Sequence, residues 1–389
     1  MTSKFPVHIM LIEYRIDNIG NVTPSEFTMK DFVADADNII LCRKNLPGLE
    51  SGDSYNIGTK TWRKIKMSKC GMKKILACGP FDGEKQKVLQ DIATGNEIIF
   101  MDKEAVTTDI IQNVDAVIGN ISIDILKCNQ SLEWVQLTTS GADAYAKPGV
   151  VGENTILTCA TGGYGIGIAE YMVAMLLVMM KKIPTYLENH KKAVWCDEGM
   201  VASPMGKRVL IVGTGDIGLE FARRMKAFGC NIAGIRRRTD VCPAEIDEIH
   251  GMTELETEVG KADIIALCLP GTEQTYHLFD ETLLGKCKRG TYLMNVGRGS
   301  AIDTEAILKK EIYSRFAGVW LDVCEQEPLP DGHPLYLVPN MLITPHITGG
   351  FHLDVTIDNV FHICVHNLKA WLHGTEYVHV VDRRTGYSM

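Results

Sequence analysis

The apolar run Val209-Leu210-Ile211-Val212 leads straight into Gly213-Thr214-Gly215-Asp216-Ile217-Gly218, and nothing else in the chain limits its possible folds as strongly. A helical stretch, Leu219–Phe228, follows, and a second apolar run begins at Asn231. A Gly-x-Gly-x-x-Gly pattern alone is weak, but strand before, helix after and a second strand beyond supply the context of a dinucleotide site. Gly213 permits the tight turn, Gly215 lets the backbone approach a diphosphate, and Gly218 lets helix and strand pack closely. The unpaired N–H groups of the first helical turn then face the diphosphate. A second glycine cluster, Gly162 to Gly167, also follows a strand, but its spacing does not match and it reads as a flexible strand-to-helix joint.

Around this unit the alternation is regular. The apolar runs Arg208–Val212, Asn231–Ile235, Ala262–Leu269, Thr291–Val296, Phe316–Leu321 and Met341–Thr344 predict six strands of a doubly wound, nucleotide-binding sheet. Upstream, Lys74–Cys78, Glu97–Met101, Asp115–Gly119, Trp134–Thr139 and Ile156–Ala160 predict a second, largely parallel sheet, so the fold class is α/β. An apolar helix over about Gly165–Lys182 joins the two series, and an amphipathic one over about Asp354–His373 is placed to carry the chain back to the first. The expected organisation is an N-terminal extension of unknown role at 1–71, a first domain at 72–182 completed by 355–389, and a dinucleotide-binding domain at 183–354.

Composition excludes several classes. Lysine and arginine number 40 against 48 acidic residues, for a net charge of −8, whereas a nucleic-acid binder carries a basic face. The basic patch Lys60–Lys73 has only Trp62 beside it, without the interleaved aromatics of a single-strand groove. The apolar helix at Gly165 contains Glu170 and falls short of the roughly 20 residues a membrane span needs. The 12 cysteines include no CxxC pair and mostly sit in apolar runs, which predicts reduced, buried thiols in a cytoplasmic protein. His362 and His366 share a helical face but have no third ligand at matching spacing, so no metal is expected.

The residues closing the second strand of the fingerprint unit discriminate between cofactors. An acid there would accept from a ribose 2′-hydroxyl and repel a 2′-phosphate. The chain has Arg236-Arg237-Arg238-Thr239, with the nearest acid, Asp240, further along. Guanidinium forks suit phosphate oxygens, so NADP is expected, with NAD possible.

Three short segments end successive late strands: Asn295–Ser300, Leu321–Pro328 and Thr344–Ile347. Hydride transfer to a 2-oxo acid needs a cation for the substrate's carboxylate and carbonyl, a positioned acid, and a carboxylate to orient and charge that acid. Arg298, His346 and Glu327 are of those types. Glu325 is a rival carboxylate, and Glu327 is preferred for its place before Pro328. On the other side, Ser140-Gly141-Ala142 lies in a loop at the end of a first-series strand, where open α/β sheets bind ligands.

Taken together, these pieces resemble the D-isomer-specific 2-hydroxyacid dehydrogenase family over Met72–Met389. The resemblance rests on GTGDIG, LPGTEQTYHLFD at Leu269–Asp280, NVGRG at Asn295–Gly299, LDVCEQEPLP at Leu321–Pro330, HPLYLVPN at His333–Asn340, TPHITGG at Thr344–Gly350 and the terminal VVDRRTGY. It implies a Rossmann-type NAD(P)-binding domain with a flavodoxin-like lid domain, usually paired as a homodimer through the cofactor domain. It also implies catalytic roles for Arg298, Glu327 and His346. Cofactor contacts are implied at Gly213 to Gly218, Arg236, Arg237, Arg238, Leu269, Pro270, Thr275, Val296, Gly297 and Asp322, the last holding the nicotinamide carboxamide. Substrate contacts are implied at Asn120, Ser140, Gly141, Ala142 and Arg298, with backbone N–H groups of the Ser140 loop meeting the substrate carboxylate. The chain departs from the family at Cys324, where an aromatic is usual, and at Arg236, where NAD-preferring relatives carry an acid. The expected reaction joins NAD(P)H and a small 2-oxo acid, of the glyoxylate or hydroxypyruvate kind. Two alternatives are a D-3-phosphoglycerate dehydrogenase-like enzyme using NAD, and a catalytically silent NAD(P)-binding sensor.

Overall fold

The computed structural model describes residues 7–16, 22–32, 40–42, 54–57, 60–65 and 72–388. It has two compact units, Met1–Lys73 and Lys74–Met389. In the first, strands β1 (Val7–Ile16) and β2 (Val22–Phe32) pair antiparallel, from Val7 opposite Phe32 to Ile16 opposite Val22. Strands β3 (Ile40–Cys42), β4 (Ser54–Ile57) and β5 (Lys60–Ile65) form an antiparallel sheet in the order β3-β5-β4. The segment read from sequence as an extension of unknown role thus contains β-strands, while residues 66–71 of the basic patch lie outside the described residues.

The second unit carries two parallel sheets. Strands β6 (Lys74–Ala77), β7 (Glu97–Phe100), β8 (Ala116–Ile118), β9 (Trp134–Gln136) and β10 (Ile156–Thr158) form the first, in the order β10-β9-β8-β6-β7. That is the flavodoxin order, with its switch point between β6 and β8. The other seven strands are β11 (Arg208–Val212), β12 (Asn231–Ile235), β13 (Glu248–His250), β14 (Ile264–Leu267), β15 (Thr291–Asn295), β16 (Phe316–Leu321) and β17 (Met341–Ile343). Their order, β13-β12-β11-β14-β15-β16-β17, is the Rossmann order extended by one strand. The sequence predicts six of these seven. β13 is missed because it is a three-residue edge strand, Glu-Ile-His, with no buried side chain and so no apolar run to mark it.

The fingerprint helix, Asp216–Ala227, buries Gly218, Phe221, Ala222 and Met225 along one stripe. At Gly218 a Cβ would lie 2.3 Å from Gly213 O, so only glycine allows this close packing. The joining helix, Gly165–Met180, packs on the fingerprint helix and on β16, and Arg224 reaches its Glu170 at 3.3 Å. Asp216 meets its first turn: a Cβ on Gly165 would lie 2.5 Å from the Asp216 carboxylate. Burial raises the pKa of this carboxyl, opposed by the Gly165 N–H.

The last helix, Asp354–His373, ends at Gly374 (φ +67°), the left-handed position glycine favours. It covers the five-stranded sheet. Buried Asn367 donates to Gln136 Oε1 at 2.7 Å, and Trp371 stacks on Trp134 with centroids 5.9 Å apart. Two strands, β18 (Val381–Asp382) and β19 (Tyr387–Ser388), form a closing hairpin. Among the described residues no helix is long and apolar enough to cross a membrane, and the ten cysteines with described side chains are free.

Candidate active site

Because β15, β16 and β17 are parallel neighbours, the loops leaving their C-terminal ends emerge at one edge of the sheet. Those loops carry Arg298, Asp322 with Glu327, and His346. Asn295 shapes the first: its side chain accepts from Gly297 N–H at 3.1 Å and donates to Arg298 O at 3.0 Å. A Cβ on Gly297 would lie 2.4 Å from Leu269 O, so this loop is packed directly onto the one after β14. The half-buried Arg298 side chain runs past Gly271 and Gly141, and its Nη2 lies 3.2 Å from Asp143 Oδ1.

His346 adopts φ +50°, an uncommon conformation for a residue with a Cβ, and its N–H donates to Asp322 O at 2.8 Å. Its Nδ1 lies 2.8 Å from Glu327 Oε2, while Glu327 Oε1 accepts from Cys324 N–H at 3.0 Å. The rival Glu325 turns away to His277 Nε2 at 2.6 Å. Burial would raise the Glu325 pKa, but His277 and the Thr304 donors outweigh it and hold the carboxyl low. Asp322 is buried beneath these loops. Its oxygens accept from Thr344 Oγ1 at 2.5 Å, Ile347 N–H at 3.2 Å, Thr348 Oγ1 at 2.6 Å and Thr348 N–H at 3.3 Å. It is therefore the post on which the His346 loop is wound. Cys324 lies beside this network, its thiol pushed up to about 11 by burial and then by Glu327 and Asp322.

These groups open onto a cleft of about 640 Å³ between the two sheets. Asn120, Ser140 and Gly141 line it from the five-stranded side, and Gly215 to Gly218, Leu269, Pro270, Val296, Gly297, Arg298, Asp322, Glu327 and His346 from the other. Asn120 braces the Ser140 loop, accepting from Thr138 N–H at 2.8 Å and donating to Thr139 Oγ1 at 2.8 Å. The fingerprint turn suits a dinucleotide. Gly213 has φ +101°, a Cβ on Gly215 would meet open space, and buried Thr214 Oγ1 has no partner among the described residues.

Several predicted residues stand elsewhere. Of the three arginines, Arg237 lines the cleft, Arg238 is exposed, and Arg236 reaches the Val241 carbonyl at 3.4 Å. Ala142 is buried beneath its loop. Thr275 is buried too, its hydroxyl spent on Pro270 O at 2.6 Å, which makes it a brace of the β14 loop. Of the aromatics outside that set, Trp134 is core, Tyr164 is buried against the cleft with its hydroxyl on Thr138 O, and Tyr336 lines a neighbouring cavity that shares Glu327 and His346 with the cleft. Sequence reasoning did not single out Asp143 or Tyr387, which also line the cleft. The signals were Asp143's place in the Ser140 loop and Tyr387's in the terminal motif.

A family model described as D-isomer specific 2-hydroxyacid dehydrogenase, NAD binding domain, matches residues 173–348. A glyoxylate reductase from Thermofilum pendens is 31% identical over 255 residues, 64% of this chain and 73% of that protein. A D-isomer specific 2-hydroxyacid dehydrogenase family protein from Aeromonas salmonicida has a similar structure, with TM-score 0.72 and 28% identity over 80% of this chain and 99% of that one. An NADPH-dependent glyoxylate/hydroxypyruvate reductase from Sinorhizobium meliloti, solved with NADP and malonate, gives TM-score 0.62 and 26% identity over 82% and 98%. Sheet order, glycine turn and relatives agree: the chain belongs to the D-isomer specific 2-hydroxyacid dehydrogenases, a family of NAD(P)-dependent oxidoreductases.

Proposed function

We propose that this protein reduces a small, unphosphorylated 2-oxo acid to the D-2-hydroxy acid and prefers NADPH to NADH. The observation that carries this reading is the His346–Glu327 pair, 2.8 Å apart, facing the same cleft as Arg298 and the fingerprint turn. The residues fit the cofactor: Gly215 leaves open space for a close backbone approach, Gly213 and Gly218 let the turn and helix pack tightly beneath it, Thr214 Oγ1 has no partner among the described residues, and Arg237 supplies charge for a 2′-phosphate. When bound, the nicotinamide supplies the hydride.

The chain's own residues do the rest. Arg298 binds the substrate carboxylate and polarises its carbonyl, and the N–H groups of the Ser140 loop meet the same carboxylate. His346 gives the proton that the new alkoxide oxygen takes, and Glu327 orients the ring through Nδ1 and stabilises its charged form. The segments 72–182 and 355–389 act as the lid over 183–354. Among the cleft-lining residues the permanent cations are Arg237 and Arg298, and Arg237 stands at the fingerprint end. A phosphorylated substrate would need one more, which favours this reading over a phosphoglycerate-type enzyme. Leu187, Val194, Trp195, Met200, Val201 and Met205 form an exposed apolar stretch, with Trp195 fully exposed, and this supports pairing of two copies.

The test is a steady-state panel of small 2-oxo acids with NADPH and NADH at matched concentrations, on the wild type and on His346→Ala. Reduction by the wild type with turnover lowered about 100-fold or more in the variant is expected. No reduction of any panel member, or wild-type turnover in the variant, overturns the reading.

A further inference from the structure

The end of the chain plays no part in the chemistry above, yet it reaches the cleft. Cys159 N–H donates to His379 O at 3.1 Å, which lays the segment alongside β10. The chain then turns back at residues 383–386. Gly386 N–H closes the turn on Asp382 O at 2.8 Å, and φ +73° there favours glycine. Arg383 pins the turn to the carbonyls of Gly152 and Thr155. A Cβ on Gly386 would lie 3.0 Å from Asp143 Cα, so the hairpin rests directly on the loop that carries Asp143.

This places Tyr387 in the cleft wall, its hydroxyl accepting from Gly271 N–H at 2.6 Å. The same oxygen faces Arg298 and Asp143. Burial raises the phenol's pKa, with Arg298 opposing and Asp143 adding, so it stays a protonated donor near neutral pH. The phenol's own proton goes to Gly271 O at 3.4 Å, a long bond that a carboxylate on Arg298 can replace. The carboxylate it faces is the one 3.2 Å from Arg298 Nη2, and a carboxylate on Arg298 is what the proposed substrate brings.

We infer that Tyr387 is a further donor in the substrate's carboxylate site, and that Asp143 is an internal carboxylate the substrate displaces from Arg298. This rests on the reading of Arg298 given above and extends it to two residues from the opposite side of the cleft. Asp143 holds the guanidinium aligned while the cleft is open, and the incoming carboxylate exchanges with it.

Oxamate, a non-reducible analogue of a 2-oxo acid, is titrated into the NADPH complexes of wild type, Tyr387→Phe and Asp143→Asn, with nicotinamide fluorescence as the signal. KM and kcat for glyoxylate are measured alongside. Tyr387→Phe should weaken oxamate about 10-fold, the scale of one lost hydrogen bond to a charged group. Its KM should rise by the same factor, more than kcat changes, while NADPH binds as in the wild type. Asp143→Asn should tighten oxamate several-fold by removing the competitor. A hairpin that merely tied Tyr387 to Gly271 would lower the melting temperature and leave oxamate affinity alone. That result in Tyr387→Phe, or no tightening in Asp143→Asn, overturns the inference. A wild type that neither binds oxamate nor reduces any 2-oxo acid of the panel overturns the proposed function, and this inference with it.

Discussion

Gly141→Ala isolates the position of one guanidinium. Gly141 is not among the glycines with left-handed φ, so alanine costs the backbone little. The new Cβ would, however, fall 1.9 Å from Arg298 Nη2 and 3.1 Å from its Cζ. Non-bonded heavy atoms rest roughly 3.5 Å apart, so the guanidinium must retreat by about 1.5 Å. The obstacle is the far end of a flexible side chain, so the fold should tolerate the change. The chemistry should not, because about 1 Å of misplacement can cost about 100-fold. The expectation is kcat/KM for glyoxylate lower by about 100-fold, or about 2.7 kcal/mol of transition-state stabilisation, with NADPH affinity and the circular-dichroism melt near wild type. Gly299→Ala makes the contrast. Its Cβ would lie 1.9 Å from the backbone of Cys324, which cannot swing away, so that variant should lose its fold. Wild-type kcat/KM in a folded Gly141→Ala protein would show that the guanidinium's position does not govern the reaction.

Glu327→Gln should lower kcat by about 100-fold while Glu325→Gln changes it by less than about 5-fold, since only Glu327 touches His346; steady-state rates of the two variants decide. Arg237→Ser should raise KM for NADPH about 10-fold and leave that for NADH unchanged, and equal effects on both would remove Arg237 from the 2′-phosphate site. Acid unfolding should report Glu248, whose pKa is lowered from 4.5 to about 2, chiefly by its hydrogen bonds from Arg208. A depressed folded pKa stabilises the fold above the unfolded value, and that stability disappears as pH falls through the folded one. Melting temperature should therefore fall less steeply between about pH 4.5 and 2 in Glu248→Gln than in the wild type, and parallel curves would count against the linkage.

The parts of this molecule legible in its sequence are those whose neighbours in space are neighbours in sequence. The five strands from Lys74 to Thr158 show as short apolar runs, and the helix Asp354–His373 shows through its amphipathic period. Arg298, Glu327 and His346 stand out because each follows the end of an apolar strand. What stayed hidden depends on contacts across long separations. Asp143 meets Arg298 across 155 residues and Tyr387 meets Gly271 across 116, and no local pattern encodes either approach. Nor does the run Arg236-Arg237-Arg238 say which guanidinium faces the cleft, because strand alternation ends at Ile235. Thr275 looked like a ligand residue in its motif, but its hydroxyl closes a turn.

The long return of the chain has a consequence for biosynthesis. Asn367 meets Gln136 across 231 residues and Trp371 meets Glu133 across 238, so the five-stranded layer emerges early and waits for a cover made much later. All seven strands of the other layer are translated by Ile343, and that layer can assemble while Asp354–His373 is still in the ribosome. During the interval the face around Trp134 is open to water. A nascent chain arrested just before Asp354 should therefore recruit chaperones that recognise apolar surface, and the same chain released with its final helix should not.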